Sequence, residues 1–139
     1  MKVKDVMHTG TICVEPNTPL MEVADRMREC DVGALPVKSN GHLIGLVTDR
    51  DITCRAVANG GDLAKMTAKD VMTSDVVCCS PDDDIAVAIE VMEAKQVRRL
   101  PVTDSHKTMI GMLSLGDISR KVSKKMSGEV LFAVSGHHI

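Results

Sequence analysis

The chain has almost no aromatic side chains: one Phe and neither Trp nor Tyr among 139 residues. Proteins that bind single-stranded nucleic acid stack bases on aromatic rings, and basic surfaces hold the phosphate backbone. A formal net charge of −2 offers no such basic surface. Nucleic acid is therefore not expected as a main partner.

Long apolar runs are also missing. No stretch approaches the roughly 20 apolar residues that cross a bilayer, and the first ten residues, MKVKDVMHTG, lack the apolar centre of a signal peptide. The composition is otherwise that of a globular protein, with 44% hydrophobic and 26% charged residues. We expect a cytoplasmic protein without a membrane partner.

Familiar catalytic motifs are absent as well. The sequence contains no P-loop, no G-x-G-x-x-G, no H-E-x-x-H and no G-x-S-x-G. Candidate acids occur, but no base or nucleophile accompanies them at a motif spacing. The sequence therefore predicts that the chain is not an enzyme and requires no cofactor.

C-x-x-C spacing is typical of zinc and redox sites. The five cysteines of this chain do not show it. Cys13 and Cys78 fall at equivalent places in two similar segments, and Cys79 is adjacent, so a disulfide or soft-metal site is one interpretation. Small buried thiols on strands are the favoured one, because neighbouring side chains on a strand point to opposite faces. His137 and His138 form a zinc site with His8 in the alternative reading, and are solvated in the favoured one.

The main feature of the chain is an internal repeat. KDVM at 4–7 returns at 69–72, and LPV at 35–37 returns at 100–102, both 65 residues later. An offset of 66 then relates Gly45 to Gly111 and Asp51 to Asp117. A repeat of this length fixes the number of structural units in the chain. Two similar units are predicted.

Each repeat has an apolar stripe at helical spacing. Its residues recur at i, i+3, i+4 and i+7, which lie on one helix face. They are Leu20, Val23, Ala24 and Met27 in the first repeat, and Ile85, Ala88, Ile89 and Met92 in the second. Thr18–Pro19 and Ser80–Pro81 predict the helix starts, as a capping residue followed by a proline.

The remaining pattern completes a β-α-β-β-α unit. Predicted strands cover 11–14, 34–38 and 43–47 in the first repeat, and 76–79, 99–103 and 109–113 in the second. Predicted second helices cover 49–58, ending at Gly60–Gly61, and 116–126, ending near Gly128. The fold class is α/β in the α+β sense, with units at 1–64 and 65–126 and a tail at 127–139. Because about 60 residues make a marginal core, we expect the units to pack with pseudo-twofold symmetry.

The end of each hairpin and the start of the second helix share one pattern: Gly, two apolar residues, Thr or Ser, two variable residues and Asp. Thr48 and Asp51 occupy it in the first repeat, and Ser114 and Asp117 in the second. This spacing is also a capping box. A carboxylate at the carboxyl end of a buried strand can instead accept hydrogen bonds from a ribose diol, while the hydroxyl and amides suit a phosphate. Both roles remain open, whereas Thr67–Asp70 has the spacing of a cap alone.

The tandem repeat, KDVM, V-x-P-x-x-x-L, LPV before a polar turn, and G-h-x-[TS]-x-x-D together resemble paired cystathionine β-synthase (CBS) domains, a Bateman module. The resemblance covers residues 2 to about 126. It implies a regulatory sensor that binds an adenine nucleotide, or another adenosine-containing effector, in clefts between the two domains. It further implies a homodimer and, since no effector domain is recognised beside the repeat, an effector protein that reads the signal.

The resemblance also implies roles for particular residues. The family's ribose-binding acid corresponds to Asp51 and Asp117, and its hydroxyl residue to Thr48 and Ser114. Basic residues before the h-P-V segment, which often meet phosphates in this family, correspond to Arg98 and Arg99. The adenine-contacting strand residue corresponds to Ile12 or Val77.

The two repeats differ at the phosphate position. The second has VRRLPV, but the first has VGALPV, with Gly33 and Ala34 in place of the arginines. We expect the site with Asp117, Ser114 and the arginines to be the better equipped, and the other to bind weakly or stay empty. The alternatives to a nucleotide sensor are a ligand-independent interaction or scaffold protein, and a redox or zinc sensor that uses the cysteines and histidines.

Overall fold

The computed structural model describes residues 1–135 and divides the chain into two compact units. One unit is Ile12–Val76; the other joins Met1–Thr11 to the chain from Val77 onward. Each has its own hydrophobic core. No helix within residues 1–135 has the length and apolarity to span a bilayer. The mixed helix-and-strand class is confirmed, with the repeat visible as two similar units.

Each unit contains one antiparallel hairpin. β1 (Ala34–Ser39) pairs with β2 (His42–Thr48), and β3 (Arg99–Thr103) pairs with β4 (Met109–Ser114). The Asn40–Gly41 turn has positive φ at both residues, 53° and 81°. Asn-Gly suits such a two-residue connection because both residues tolerate left-handed backbone. The predicted first strands are shorter than expected: each forms one parallel bridge, Val14 to Val37 and Cys79 to Val102.

The two striped helices are α1 (Leu20–Cys30) and α4 (Ile85–Lys95). The buried residues of the stripes are Leu20, Val23 and Met27 in α1, and Ile85, Ala88 and Met92 in α4. Of the other two predicted stripe residues, Ala24 is exposed and Ile89 is partly buried. The predicted starts are wrong in detail. The capping positions are Pro19 and Asp84, and the Asp84 side chain accepts a hydrogen bond from the Ala86 N–H. Ser80 belongs instead to the preceding turn, where its N–H donates to Asp83.

The second helices differ between the units. α2 (Asp49–Asp51) continues as a π-helix over Ile52–Val57, close to the predicted 49–58. The prediction of one helix over 116–126 is wrong, because α5 (Leu115–Lys121) ends before Val122 and α6 (Lys124–Val134) follows. The predicted tail therefore contains most of a helix. It folds because Val130 and Val134 join the core on α4 and α5.

The compact units are composed differently from the sequence segments 1–64 and 65–126, and the division into domains at those positions stays a prediction. The first KDVM forms a short 3₁₀ helix, Val3–Asp5, whose Val3 is buried with the second repeat. Its backbone is fixed there, since the Val3 N–H donates to the Asp83 carbonyl at 2.9 Å. The second KDVM forms α3 (Ala68–Val71), which packs with the first repeat. Each leading segment therefore completes the core of the other repeat.

Candidate functional site

Both G-h-x-[TS]-x-x-D segments form complete capping boxes. The Asp117 N–H donates to Ser114 Oγ at 3.0 Å, and the Ser114 N–H donates to Asp117 Oδ2 at 2.9 Å. Thr48 and Asp51 make the same two bonds at 3.0 and 2.9 Å. The capping role is therefore present at both helix starts. The ribose role of these four side chains stays a prediction.

Thr67–Asp70 confirms the cap predicted for it. The Thr67 N–H donates to Asp70 Oδ2 at 2.8 Å, and a capping box is complete at the start of α3. This third site has the same T-x-x-D spacing but does not follow a hairpin. It provides a reference for what the motif does as a cap alone.

The glycine of each motif allows another chain segment to cross the hairpin closely. A Cβ on Gly111 would lie 2.9 Å from the carbonyl oxygen of His8, and one on Gly45 would lie 3.1 Å from that of Thr73. The first distance cannot be accommodated without a shift of the backbone, and the second is tighter than nearly all real Cβ contacts. Glycine at these positions therefore lets the segment after each KDVM reach the strand that carries the Thr or Ser.

Asp117 has an additional partner, His8. The ring Nδ1 of His8 lies 2.8 Å from Asp117 Oδ2. Partial burial alone would raise the pKa of the Asp117 carboxyl. Its pKa is nevertheless below the usual value, because the carboxyl accepts hydrogen bonds from the Ser114 backbone, from His8 and from the Ser114 side chain. The charge of His8 lowers the pKa further. Asp117 is therefore an ionised acceptor at neutral pH.

Asp51 has a different surrounding. Nε of Arg55, one helical turn later, lies 3.8 Å from Asp51 Oδ1, and the Arg55 guanidinium also donates to the Met72 carbonyl at 3.1 Å. An arginine this close to a carboxylate oxygen competes with a ligand for interaction with that oxygen. The two predicted ribose acids are therefore equivalent in backbone position but not in side-chain contacts.

The two arginines are separated by the structure. Arg99 is the register partner of Ser114 in the β3–β4 hairpin, and directly opposed residues place their side chains on the same face. Arg98 precedes the strand, and its guanidinium donates to Ser135 Oγ at 3.2 Å, at the end of α6. Only Arg99 is therefore brought to the Ser114 side.

The corresponding corner of the first repeat is smaller and more acidic. Ala34 is the register partner of Thr48, where the second repeat has Arg99. A Cβ on Gly33 would lie 3.0 Å from Asp49 Oδ2. The Asp49 carboxylate therefore occupies space beside the position of the missing arginine.

The helix-start amides are largely used. The Leu115 N–H donates to the Arg98 carbonyl at 2.9 Å, and the Asp117 N–H to Ser114. In the first repeat the Asp49 N–H donates to the Gly33 carbonyl at 2.9 Å. The expectation that free amides hold a phosphate is therefore weakened, and a side chain has to supply that contact.

The predicted adenine contacts are in different environments. Ile12 is 45% exposed, whereas Val77 is half-buried and packs against the core of its unit. An exposed isoleucine has apolar surface available to a ligand. Their contact with adenine remains a prediction.

The cysteines are all reduced in the structure. Burial raises the pKa of the Cys13 and Cys78 thiols, and raises that of Cys79 to about 12 together with the nearby Asp83 and Cys78. A raised pKa opposes the thiolate that metal and redox chemistry needs. Within residues 1–135 no three His, Cys, Asp or Glu side chains group as a metal site. His137 and His138 lie outside the described residues.

Two side chains at these sites, His8 and Arg55, were not predicted to be there. His8 directly follows the first KDVM, at the repeat position of Thr73. A comparison of the two repeats at this position would have marked the difference. The sequence could not show which aspartate His8 meets, since the pair is 109 residues apart.

Comparison with known proteins agrees with this architecture. The CBS domain family model matches residues 3–56 and 68–124. The CBS domain-containing protein YhcV of Bacillus subtilis is 36% identical over 138 residues, 99% of this chain and 97% of that protein. A crystal structure of Hypoxic Response Protein I with two coordinated zinc ions is 34% identical, with a TM-score of 0.80 over 88% of this chain and 100% of that one.

A crystal structure of CBSX2 in complex with AMP is 25% identical, with a TM-score of 0.78 over 86% of this chain and 94% of that chain. The repeat, the two hairpin-centred units and the two family matches agree. This chain belongs to the CBS domain family and contains two CBS domains in tandem.

Proposed function

We propose that this chain is a regulatory sensor, not an enzyme, which binds an adenosine-containing ligand such as AMP, ADP or ATP and passes the signal to an effector protein. The observation that carries the proposal is the Ser114–Asp117 helix start. Asp117 Oδ2 takes hydrogen bonds from Ser114 and His8, and Oδ1 accepts none from residues 1–135. A carboxylate oxygen in this state can accept hydrogen bonds from ribose hydroxyls. The AMP complex of CBSX2 supports the choice of ligand.

The second repeat supplies the stronger site in this proposal. Arg99 opposes Ser114 across the hairpin, so a cation lies on the side of the helix start where a phosphate would be held. The first repeat has Ala34 at that position and Arg55 close to its acid. We therefore expect one tight AMP site per chain, and a second that is weak or empty. Titration calorimetry that gives two equal, tight AMP sites would contradict this asymmetry.

A thermal-shift panel tests the function. It compares AMP, ADP, ATP, NAD, S-adenosylmethionine and zinc, because a ligand at 100 times its dissociation constant adds about 2.7 kcal/mol to the free energy of unfolding. We expect the adenosine compounds to raise the melting temperature. Asp117→Ala should abolish this response.

Asp70→Ala is the matched control for that variant. It also removes the acid of a capping box, but at a site that serves as a cap alone. We expect Asp70→Ala to lower the melting temperature and keep the full response to AMP. If Asp117→Ala responds as Asp70→Ala does, the ribose role is wrong.

The working form in this proposal is a homodimer. Leu131 and Phe132 on α6 are 50% and 83% exposed. Elsewhere on the same helices, α4 and α6 form a groove of about 410 Å³ that contains apolar Ile85 and Ile89 and acidic Glu93. Exposed apolar surface of this kind favours association between copies. Analytical ultracentrifugation should show a dimer that Phe132→Asp weakens and Met21→Asp, an exposed position on α1, does not.

Zinc is the competing ligand, and it has one specific observation in its favour. The structure of Hypoxic Response Protein I contains two coordinated zinc ions. In this chain the raised thiol pKa values and the lack of a three-ligand group within residues 1–135 count against zinc. A melting temperature that zinc raises and adenosine compounds leave unchanged would favour the zinc sensor. A panel with no response would favour a scaffold.

A further inference from the structure

The His8–Asp117 contact is formed by a backbone that leaves His8 little freedom. The His8 N–H donates to the Met112 carbonyl, and the Met112 N–H donates to the His8 carbonyl, both at 3.0 Å. Gly111 permits this approach because a Cβ there would lie 2.9 Å from the His8 carbonyl oxygen. Buried Val3 and Val6 anchor the segment just before it. The fold thus places the imidazole next to Asp117.

This hydrogen bond fixes which ring nitrogen of His8 carries a proton and how the Asp117 carboxylate is oriented. A carboxylate only accepts hydrogen bonds, so at 2.8 Å the Nδ1 atom of His8 must carry the proton. Asp117 Oδ2 then has two donors, Nδ1 of His8 and the Ser114 N–H. Because two donors hold Oδ2, the carboxylate cannot rotate, and Oδ1 points in one fixed direction. His8 remains half exposed, so its ring edge is also accessible.

The first repeat is an internal comparison. Thr73 makes the same pair of backbone hydrogen bonds, to Leu46, at 2.9 and 3.0 Å. Within the described residues its side chain makes no hydrogen bond to Asp51. The polar groups beside Asp51 Oδ1 come from Arg55, 3.8 Å away. The repeat therefore keeps the backbone crossing and changes the side chain that meets the acid.

We propose that His8 is a positioning residue of the Asp117 site, which orients the carboxylate and so makes the site selective for a ribose over a 2′-deoxyribose. This inference rests on the proposed function. A fixed carboxylate discriminates because a ligand that lacks the hydroxyl leaves an oriented acceptor unpaired. A carboxylate free to rotate can relax toward solvent and loses part of that discrimination. Thr73 gives the Asp51 site no such selectivity.

The test compares adenosine with 2′-deoxyadenosine by titration calorimetry. Asp51→Ala serves as the parent, so that only the Asp117 site contributes. We expect the parent to bind adenosine about tenfold more tightly, a difference of about 1.4 kcal/mol. His8→Thr, which copies the first repeat, should reduce this ratio to about threefold or less.

Two further variants separate positioning from general structural damage. Asn places an N–H donor near the position of Nδ1, so His8→Asn should keep the tenfold ratio. Thr73→Ala, the same position in the first repeat, should leave it unchanged. If His8→Thr keeps the affinity ratio of the parent, the positioning role of His8 is wrong, while the proposed function stands. A parent that binds neither compound overturns the proposed function and the role of His8 with it.

Discussion

Arg99 and Ser114 oppose each other across the β3–β4 hairpin, one residue before the helix that carries Asp117 begins. Arg98, the neighbouring cation, is engaged by Ser135 at the end of α6. The pair of arginines in VRRLPV therefore divides into one that lies beside the proposed ligand site and one that holds the C-terminal helix. The first repeat, with Gly33 and Ala34, has neither.

Removal of Arg99 is expected to weaken phosphate binding specifically. Charge-assisted hydrogen bonds contribute about 1.5–3 kcal/mol, so Arg99→Ala should weaken AMP binding by about 10- to 100-fold and leave adenosine binding within about twofold. Arg98→Ala is the control and should change neither affinity strongly. Titration calorimetry with both ligands measures this. Equal losses for Arg98→Ala and Arg99→Ala would contradict the division.

Each capping hydroxyl is expected to contribute to stability independently of ligand. Loss of an N-cap side chain costs about 1 kcal/mol. Thr48→Ala, Thr67→Ala and Ser114→Ala should therefore each lower the free energy of unfolding by about that amount, in urea denaturation without nucleotide. A Ser114→Ala protein as stable as the parent would show that the hydroxyl does not stabilise the α5 start.

The depressed pKa of Asp117 predicts a pH-dependent contribution to stability. The ionised carboxylate is favoured in the folded state, so its contribution is fully present above the pKa of an unfolded Asp, about 3.9, and is lost as pH falls through the lower folded-state pKa. Asp117→Asn should therefore lower the free energy of unfolding at pH 7, by an amount that shrinks below about pH 4. Urea denaturation at both pH values tests this; a pH-independent difference would contradict it.

The His8 contact contributes to that depressed pKa. His8→Thr removes a donor and a nearby charge, so it should raise the pKa of the Asp117 carboxyl toward its ordinary value. A carbon-detected NMR titration of the side-chain carboxyl measures the change without any ligand. An unchanged Asp117 titration in His8→Thr would show that the contact does not form in solution.

Thiol reactivity should follow burial. Cys30 and Cys54 are exposed, whereas the pKa of Cys79 is raised to about 12. We expect iodoacetamide at pH 7.5 to label Cys30 and Cys54 first and Cys79 slowest, since the thiolate is the reactive form. Mass spectrometry of tryptic peptides gives the order. Rapid labelling of Cys79 would contradict the buried-thiol interpretation.

Local pattern was enough to predict the repeat, the hairpins and the buried stripes of α1 and α4. Those features depend on residues close in the chain, and Leu20, Val23 and Met27 are buried as their spacing predicts. The predicted helix end near Gly128 was wrong because packing stabilises α6. Val130 and Val134 lie in the core, and their burial outweighs the low helix propensity of one glycine.

What the sequence could not predict depends on contacts between distant segments. The leading KDVM segments pack with the opposite repeat, so Val3 shares a core with residues of the second repeat. The same exchange brings His8 to Asp117. The two aspartates occupy the same motif, and the side chains that meet them, His8 and Arg55, differ in a way that the motif does not predict.

The central claim is that Asp117 binds the ribose hydroxyls of an adenosine ligand in addition to capping α5. A crystal structure of the protein with AMP tests it most directly. We expect a ribose hydroxyl within about 2.5–3.0 Å of Asp117 Oδ1, with the Ser114 and His8 hydrogen bonds to Oδ2 kept. AMP bound elsewhere, with Asp117 in contact only with Ser114 and His8 at saturating nucleotide, would contradict the claim.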